Sequence, residues 1–218
     1  QSTESAEKLR RTVTEPGLWA RLMEGVAFVQ QNKIVLLLLA IVAAASLFGY
    51  PFLTLMPMVA RSLFRDDASG LGFLLGSVGG GALLGALALS IRTPEKEKTL
   101  PLILGSLTLF GLTLGATAFI HSPQLVMAML SLSGLSMVVC MALCNTGIQE
   151  RVPDAMRGRI LSMYTFAFSA FLPFGNLLAG VTAEHRGIGA TLATLGGGLV
   201  LSAVLAALAV RWWRRRAA

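Results

Sequence analysis

Few residues in this chain are of types that do chemistry, and their spacing limits what each can do. Ser131 and Ser133 lie in a Ser-Leu-Ser-Gly stretch, His121 and His185 are the two imidazoles, and Cys140 and Cys144 are the two thiols. A serine nucleophile needs a base within hydrogen-bond reach, and both histidines stand at the ends of apolar runs rather than within them. No His-Glu-x-x-His pair occurs, the spacing that turns two imidazoles to one helix face around zinc. The cysteines are four apart with no histidine nearby. Two thiols on one helix are not expected to form a structural disulfide, and they make a poor metal site. The pattern argues against an enzyme and implies no metal and no cofactor.

The remaining chemistry is a cluster of charge. Residues 145–166 read NTGIQERVPDAMRGRILSMYTF, which sets Glu150, Arg151, Asp154, Arg157 and Arg159 between two long apolar walls. The fifty residues before Gln149 contain no Asp, Glu, Lys or Arg. Asp154 and Arg157 are three apart, as neighbours on one helix face are, and Pro153 can open a helical turn with Asp154 at its positive end. Gly158 would let another backbone approach. The cluster reads either as a solvated loop or as an ion-pair latch, a cytoplasmic gate formed by Asp154, Arg157 and Arg159.

Composition indicates what must position these groups. The chain has 218 residues, 55% hydrophobic and 13% charged, with a mean hydropathy of +0.71. Soluble domains carry about 25% charged residues, so this chain has too little charge to cover a core in water. Its net charge of +7 does not point to nucleic acid, because the basic residues fall between apolar runs instead of forming one face. The uncharged runs predict an all-α polytopic membrane protein with six spans at about 34–58, 70–91, 100–120, 124–148, 160–182 and 188–210. The long run from Thr99 to Gln149 is divided at His121-Ser122-Pro123, since proline suits the start of a helix and not its interior. Of the 18 basic residues, all but Arg61, Arg65 and Arg186 lie in alternate connectors. By the positive-inside rule both termini are then cytoplasmic. This divides the chain into a cytoplasmic linker at 1–33, a transmembrane domain at 34–210 and a basic tail at 211–218. Within the linker, residues 1–16 are polar, and Leu18, Trp19, Leu22, Met23, Val26 and Val29 form one apolar side of a possible surface helix.

Glycine and proline mark candidate packing devices. Gly72, Gly76 and Gly80 recur every fourth residue, as do Gly81 and Gly85, a pattern that lets helices approach closely in lipid. Helix packing is assigned to Gly72, Gly76, Gly80 and Gly85. Pro51, Pro57 and Pro173 lie inside spans and predict kinks in the first and fifth helices. None of the 11 acidic residues lies at depth in a span.

The run QERVPDAMRGRILSMYTFAFSAFLPFGNLLAGVTAEHRG resembles the connector and eleventh helix of the major facilitator superfamily. The likeness rests on Gln149, Val152-Pro153-Asp154, Arg157-Gly158-Arg159, Pro173-Phe174-Gly175 and Gly180. LMEGVAFVQQNKIV before the first helix and GLGFLLGSVGGGALLGAL in the second are similar as well. The resemblance extends to bacterial multidrug, macrolide and siderophore (enterobactin-type) exporters. It implies two inverted three-helix repeats, the carboxyl-terminal half of a twelve-helix fold, in a bacterial cytoplasmic (inner) membrane. The function it implies is export of an amphipathic small molecule by alternating access, as an antiporter, with a partner that is an amino-terminal six-helix half or a second copy. In such a fold the first, fourth and fifth helices border the substrate path, which implicates Tyr50, Thr54, Ser133, Ser136, Cys140, Tyr164 and Phe168. Two other readings are weighed beside it: a non-transporting or dimerising six-helix assembly subunit, and a membrane-embedded enzyme.

Overall fold

The computed structural model describes residues 18–64, 67–91 and 94–217, and they are helical apart from short connectors. Helix α1 covers Leu18–Gln31 and α2 covers Lys33–Ala44. Between them Asn32 caps α2, its side-chain oxygen accepting from the Val35 amide. A π turn at Ala45–Gly49 then leads past Pro51 into α3, Phe52–Leu63. Helices α4 (Asp67–Ile91), α5 (Lys96–Ala116) and α6 (Pro123–Gln149) follow. The final helical stretch, Asp154–Ala217, contains one residue with non-helical backbone angles, Gly187 at φ 80 and ψ 169. We call its limbs α7 (154–186) and α8 (188–217). A positive φ of that size suits glycine, which has no Cβ to clash.

Among the described residues five segments are long and apolar enough to cross a membrane: Lys33–Leu63, Ala68–Ile91, Lys96–Phe119, Pro123–Gln149 and Asp154–Arg216. The protein is an all-α polytopic membrane protein. Six separate segments were expected, and the difference lies at Gly187, where two helical limbs follow each other with no connector but this one non-helical residue. As a straight rod, 63 residues would measure about 95 Å at about 1.5 Å per residue, some three times a hydrocarbon core of about 30 Å. Helix ends also reach beyond the expected ones. Helix α7 begins at Asp154, six residues before the expected span, where Pro153 and Asp154 form the helix start that their types favour. Pro123 occupies the first turn of α6, as its missing N–H favours.

Proline acts differently at its three sites. At Pro51 the loss of an amide donor coincides with the π turn, in which the Tyr50 N–H donates to the Ala45 carbonyl at 3.0 Å. A π turn beside proline is a recognised cause of helix bending. Pro57 and Pro173 are accommodated within α3 and α7 without interrupting them.

Three close crossings hold the bundle. In the first, α4 meets α6: a Cβ on Gly81 would lie 1.7 Å from the Ser131 carbonyl oxygen, and one on Gly134 2.1 Å from that of Val78. In the second, α7 meets the π turn, where a Cβ on Gly175 would lie 2.4 Å from the Leu47 oxygen. In the third, α5 meets α8, with Gly111 and Gly196 each facing the other's carbonyl. Backbones this close make dense dispersion contacts, which matter most where lipid supplies no hydrophobic drive for helix association. Phe52, Phe110, Leu38, Met56 and Leu195 fill the interior. Leu83, Leu84, Leu87, Leu201 and Leu205 face outward and are exposed, as expected where lipid is the solvent.

Candidate functional site

The residues expected along a solute path divide into two groups. Tyr50, at the end of the π turn, and Tyr164, on α7, line an open recess of about 370 Å³ with Met141, Asn145 and Thr146 of α6. The Tyr50 ring meets Phe168 edge-on at 4.6 Å between centroids. The Tyr164 hydroxyl points to the Met141 carbonyl at 3.4 Å, a long contact that leaves it free to serve a ligand. The Ser46 hydroxyl donates to the Phe168 carbonyl and ties α7 to the π turn beneath the recess. Asn145 accepts a hydrogen bond from Gln149 one turn on. The recess is thus aromatic and amide-lined, with no formal charge on its wall.

The second group is buried elsewhere. Ser133 shares a 2.8 Å hydrogen bond with Thr113 and donates to the Met129 carbonyl, so it fastens α6 to α5. Ser136 donates to the Leu132 carbonyl at 2.7 Å, and Cys140 is a buried free thiol, as is Cys144. Thr54 is exposed, and its hydroxyl donates to the Pro51 carbonyl at 2.7 Å. The recess therefore gathers Tyr50, Tyr164 and the neighbouring Phe168, while Ser133, Ser136 and Cys140 face helices. Met141 is a residue whose flexible side chain suits a cavity wall, whereas sequence reasoning missed Thr146 and the place of Asn145 in the recess. Their spacing of 141, 145 and 146 on α6 was the available signal. Asn176 Oδ1 is buried without a hydrogen-bond partner among the described residues.

At the charged connector the expected pair is present: Arg157 and Asp154 lie 2.7 Å apart. Asp154 is 89% exposed, so as a stabilising contact this pair is worth roughly 0–1 kcal/mol. Arg159 does not join it but pairs with Glu24 of α1, 135 residues away. The same face of α1 brings Gly25 against Met163 and Ile160 of α7 and buries Val29. Arg151 turns back to its own helix and donates to the Gly147 carbonyl at 2.8 Å. Gly158 has no atom of the described chain within 4 Å of where a Cβ would stand, so the close backbone expected there is absent among the described residues.

The glycines divide in the same way. A Cβ on Gly85 would lie 2.8 Å from the Leu135 oxygen, whereas Gly72, Gly76 and Gly80 face open space. Of α1's apolar side, Met23 and Val26 are exposed. The stretch 1–16 and the side chains of Leu18, Trp19 and Leu22 lie outside the described residues. Among the described residues no His, Cys, Asp and Glu cluster is placed to hold a metal.

Comparison with known proteins yields a consistent set of likenesses. A family model described as transmembrane secretion effector matches residues 3–216. Over 205 residues the chain is 27% identical to the multidrug efflux pump Tap of Mycobacterium tuberculosis, covering 93% of this chain and 48% of that protein. Identity is 27% over 198 residues to Tap of Mycolicibacterium fortuitum, covering 90% and 47%. It is 25% over 179 residues to macrolide efflux protein A of Streptococcus pyogenes, covering 80% and 43%. The chain spans about half the length of the curated relatives it matches. No solved structure matches.

Proposed function

The chain belongs to the transmembrane secretion effector family of the major facilitator superfamily, and from that premise we propose that it is the six-helix, carboxyl-terminal half of an exporter of amphipathic small molecules working by alternating access. The observation that carries this reading is the recess at Tyr50, Met141, Asn145 and Tyr164. It is an open recess and not an enclosed cavity, as half of a central cavity would be. Aromatic faces and an amide suit a bulky solute with a few polar groups better than a bare ion.

The crossings support two inverted three-helix repeats. Take α2–α3, α4 and α5 as one unit and α6, α7 and α8 as the other. The second helix of the first unit crosses the first helix of the second at Gly81, and the second helix of the second unit crosses the first helix of the first at Gly175. The two third helices cross each other at Gly111 and Gly196. A two-fold axis in the membrane plane relates such contacts, and this superfamily is built on that relation. The open glycine face of α4, at Gly72, Gly76 and Gly80, is then the surface for the amino-terminal half. A second copy of the chain would need the same face, so a dimerising subunit is the competing reading.

Asp154 and Arg157 serve as a cytoplasmic gate, with Arg159 holding the linker helix α1 to it. The membrane is the bacterial inner membrane, with Lys33 and the Arg211–Arg216 end cytoplasmic. The spans contain no carboxylate at depth, so proton coupling, if used, draws on the other half. Transport is measured in proteoliposomes containing this chain with and without a separately expressed amino-terminal half. Movement of solute is expected only with both. Transport by the chain alone, or by neither preparation, would refute the assignment.

A further inference from the structure

Two spaces outside the solute recess are each lined in part by α2. An apolar groove of about 280 Å³ runs between α2 and α8, lined by Leu37, Ala40 and Ala44 on one side and Leu205, Ala206 and Ala209 on the other. Ile41 and Ser202 complete the lining, and alanine at four of the eight positions leaves room that larger side chains would fill. From Leu37 to Ala44 the groove extends about 10 Å at about 1.5 Å per residue, a large part of one leaflet's hydrocarbon, which is half of about 30 Å.

Both lining faces continue into basic and aromatic residues at the same end. One helical turn before Leu37 stands Lys33, which is exposed and also lines a second recess of about 410 Å³ with Phe28, Gln31, Asn32 and Ile34. Beyond Ala209 the same face of α8 passes through Trp212 and Trp213 to Arg216. At about 100° per residue, Arg216 returns to within about 20° of Ala209, whereas Arg214 and Arg215 are turned away by more than 100°. The Arg216 guanidinium lies 3.9 Å over the Trp212 ring, and Trp213 packs against the core. Residues 33–44 and 202–217 include no Asp or Glu. An acyl-sized groove therefore ends at positive charge and indole, the side chains that settle at a headgroup layer.

We propose that the α2–α8 groove and the adjoining Lys33 recess bind a single anionic phospholipid, one acyl chain along the alanines and the headgroup phosphate at Lys33 and Arg216. The occupant is lipid rather than solute because the groove is open, with Ala40 and Leu205 exposed on its walls, and shares no lining residue with the recess at Tyr50 and Tyr164. Each basic residue near a headgroup contributes about tenfold or somewhat less in anion preference.

The test is native mass spectrometry of the protein extracted from membranes in mild detergent and titrated with phosphatidylglycerol and phosphatidylcholine of matched chains. One phosphatidylglycerol per protein is expected to stay bound, with at least about tenfold preference over phosphatidylcholine. Lys33→Gln with Arg216→Gln should abolish the preference, while Arg214→Gln with Arg215→Gln, of equal charge change, should keep it. Ala40→Phe with Ala209→Phe should remove retention of both lipids with the basic residues intact. Inorganic phosphate should compete only weakly, lacking an acyl chain. Equal losses in the two arginine-containing pairs, retention in the filled groove, or displacement by phosphate at lipid-like concentration would each overturn the proposal. The readout is independent of transport, so it stands or falls apart from the exporter assignment.

Discussion

Consider alanine placed at Gly80 and, separately, at the adjacent Gly81. At Gly81 the new Cβ would lie 1.7 Å from the Ser131 oxygen, and 2.5 and 2.9 Å from that residue's carbonyl carbon and Cα. All three are backbone atoms, so no side chain can swing aside, and α4 and α6 must separate by about 1.5 Å to reach ordinary contact. A gap of about 0.5–1 Å already forfeits a quarter to a half of each dispersion well. Overpacking of this kind costs about 1–3 kcal/mol and sometimes more, against a gain of about 0.5–1 kcal/mol for alanine over glycine in a helix. Backbone against backbone at that distance puts Gly81 at the upper end, about 3 kcal/mol, so the net is a loss of about 2 kcal/mol. At Gly80 nothing lies within 4 Å, so only the gain remains. For a chain of this size about 1 kcal/mol moves Tm by about 2–4 °C. Gly81→Ala should therefore lower Tm by about 5 °C and Gly80→Ala raise it by about 2 °C, read by size-exclusion melting of the purified chain in detergent. Shifts of the same sign and size at the two positions would refute the reasoning that backbone proximity, rather than glycine content, holds the α4–α6 seam.

Other outcomes follow from the same geometry. Gly76→Leu with Gly80→Leu should not lower the chain's own Tm, and by helix propensity should raise it by about 2–5 °C, yet abolish transport in the presence of an amino-terminal half. Asp154→Asn and Arg157→Gln should each change stability by less than about 1 kcal/mol; if they form a gate, the double variant should lose no more transport than the worse single one. Glu24→Gln and Arg159→Gln should raise protease access to α1 equally and non-additively, measured by limited proteolysis near Met23. Ser46→Ala removes the hydrogen bond to Phe168 and should cost about 0.6–1.7 kcal/mol, the range for such bonds in membranes, seen as a lower unfolding temperature.

What was legible in the sequence was set by solvent. Charge-free runs mark spans because each charge at a helix centre costs about 2.5–3.5 kcal/mol, and Pro123 marks a start because it lacks an N–H. The Asp154–Arg157 pair was readable because both partners sit on one turn. Contacts between helices were not. Four-residue spacing identifies a glycine face, but only packing decides whether that face meets a neighbour, as Gly85 does, or open space, as Gly76 does. Arg159 pairs with Glu24 across 135 residues, and no local pattern announces that. Ser133 and Tyr164 were equally plausible as cavity residues until α5 was seen to present Thr113 to the serine.

The crossed seams bear on how the protein is made. The tight partner of α4 is α6, and that of the π turn is α7, so neither can complete its packing until the later helices are present. With Leu47 waiting for Gly175, and synthesis at about 5–20 residues per second, the first hairpins spend roughly 6–26 seconds in the bilayer before their mates emerge. During that interval the backbone surfaces that Gly134 and Gly175 later cover face lipid, so a side chain added at either glycine acts on assembly as well as on the finished bundle.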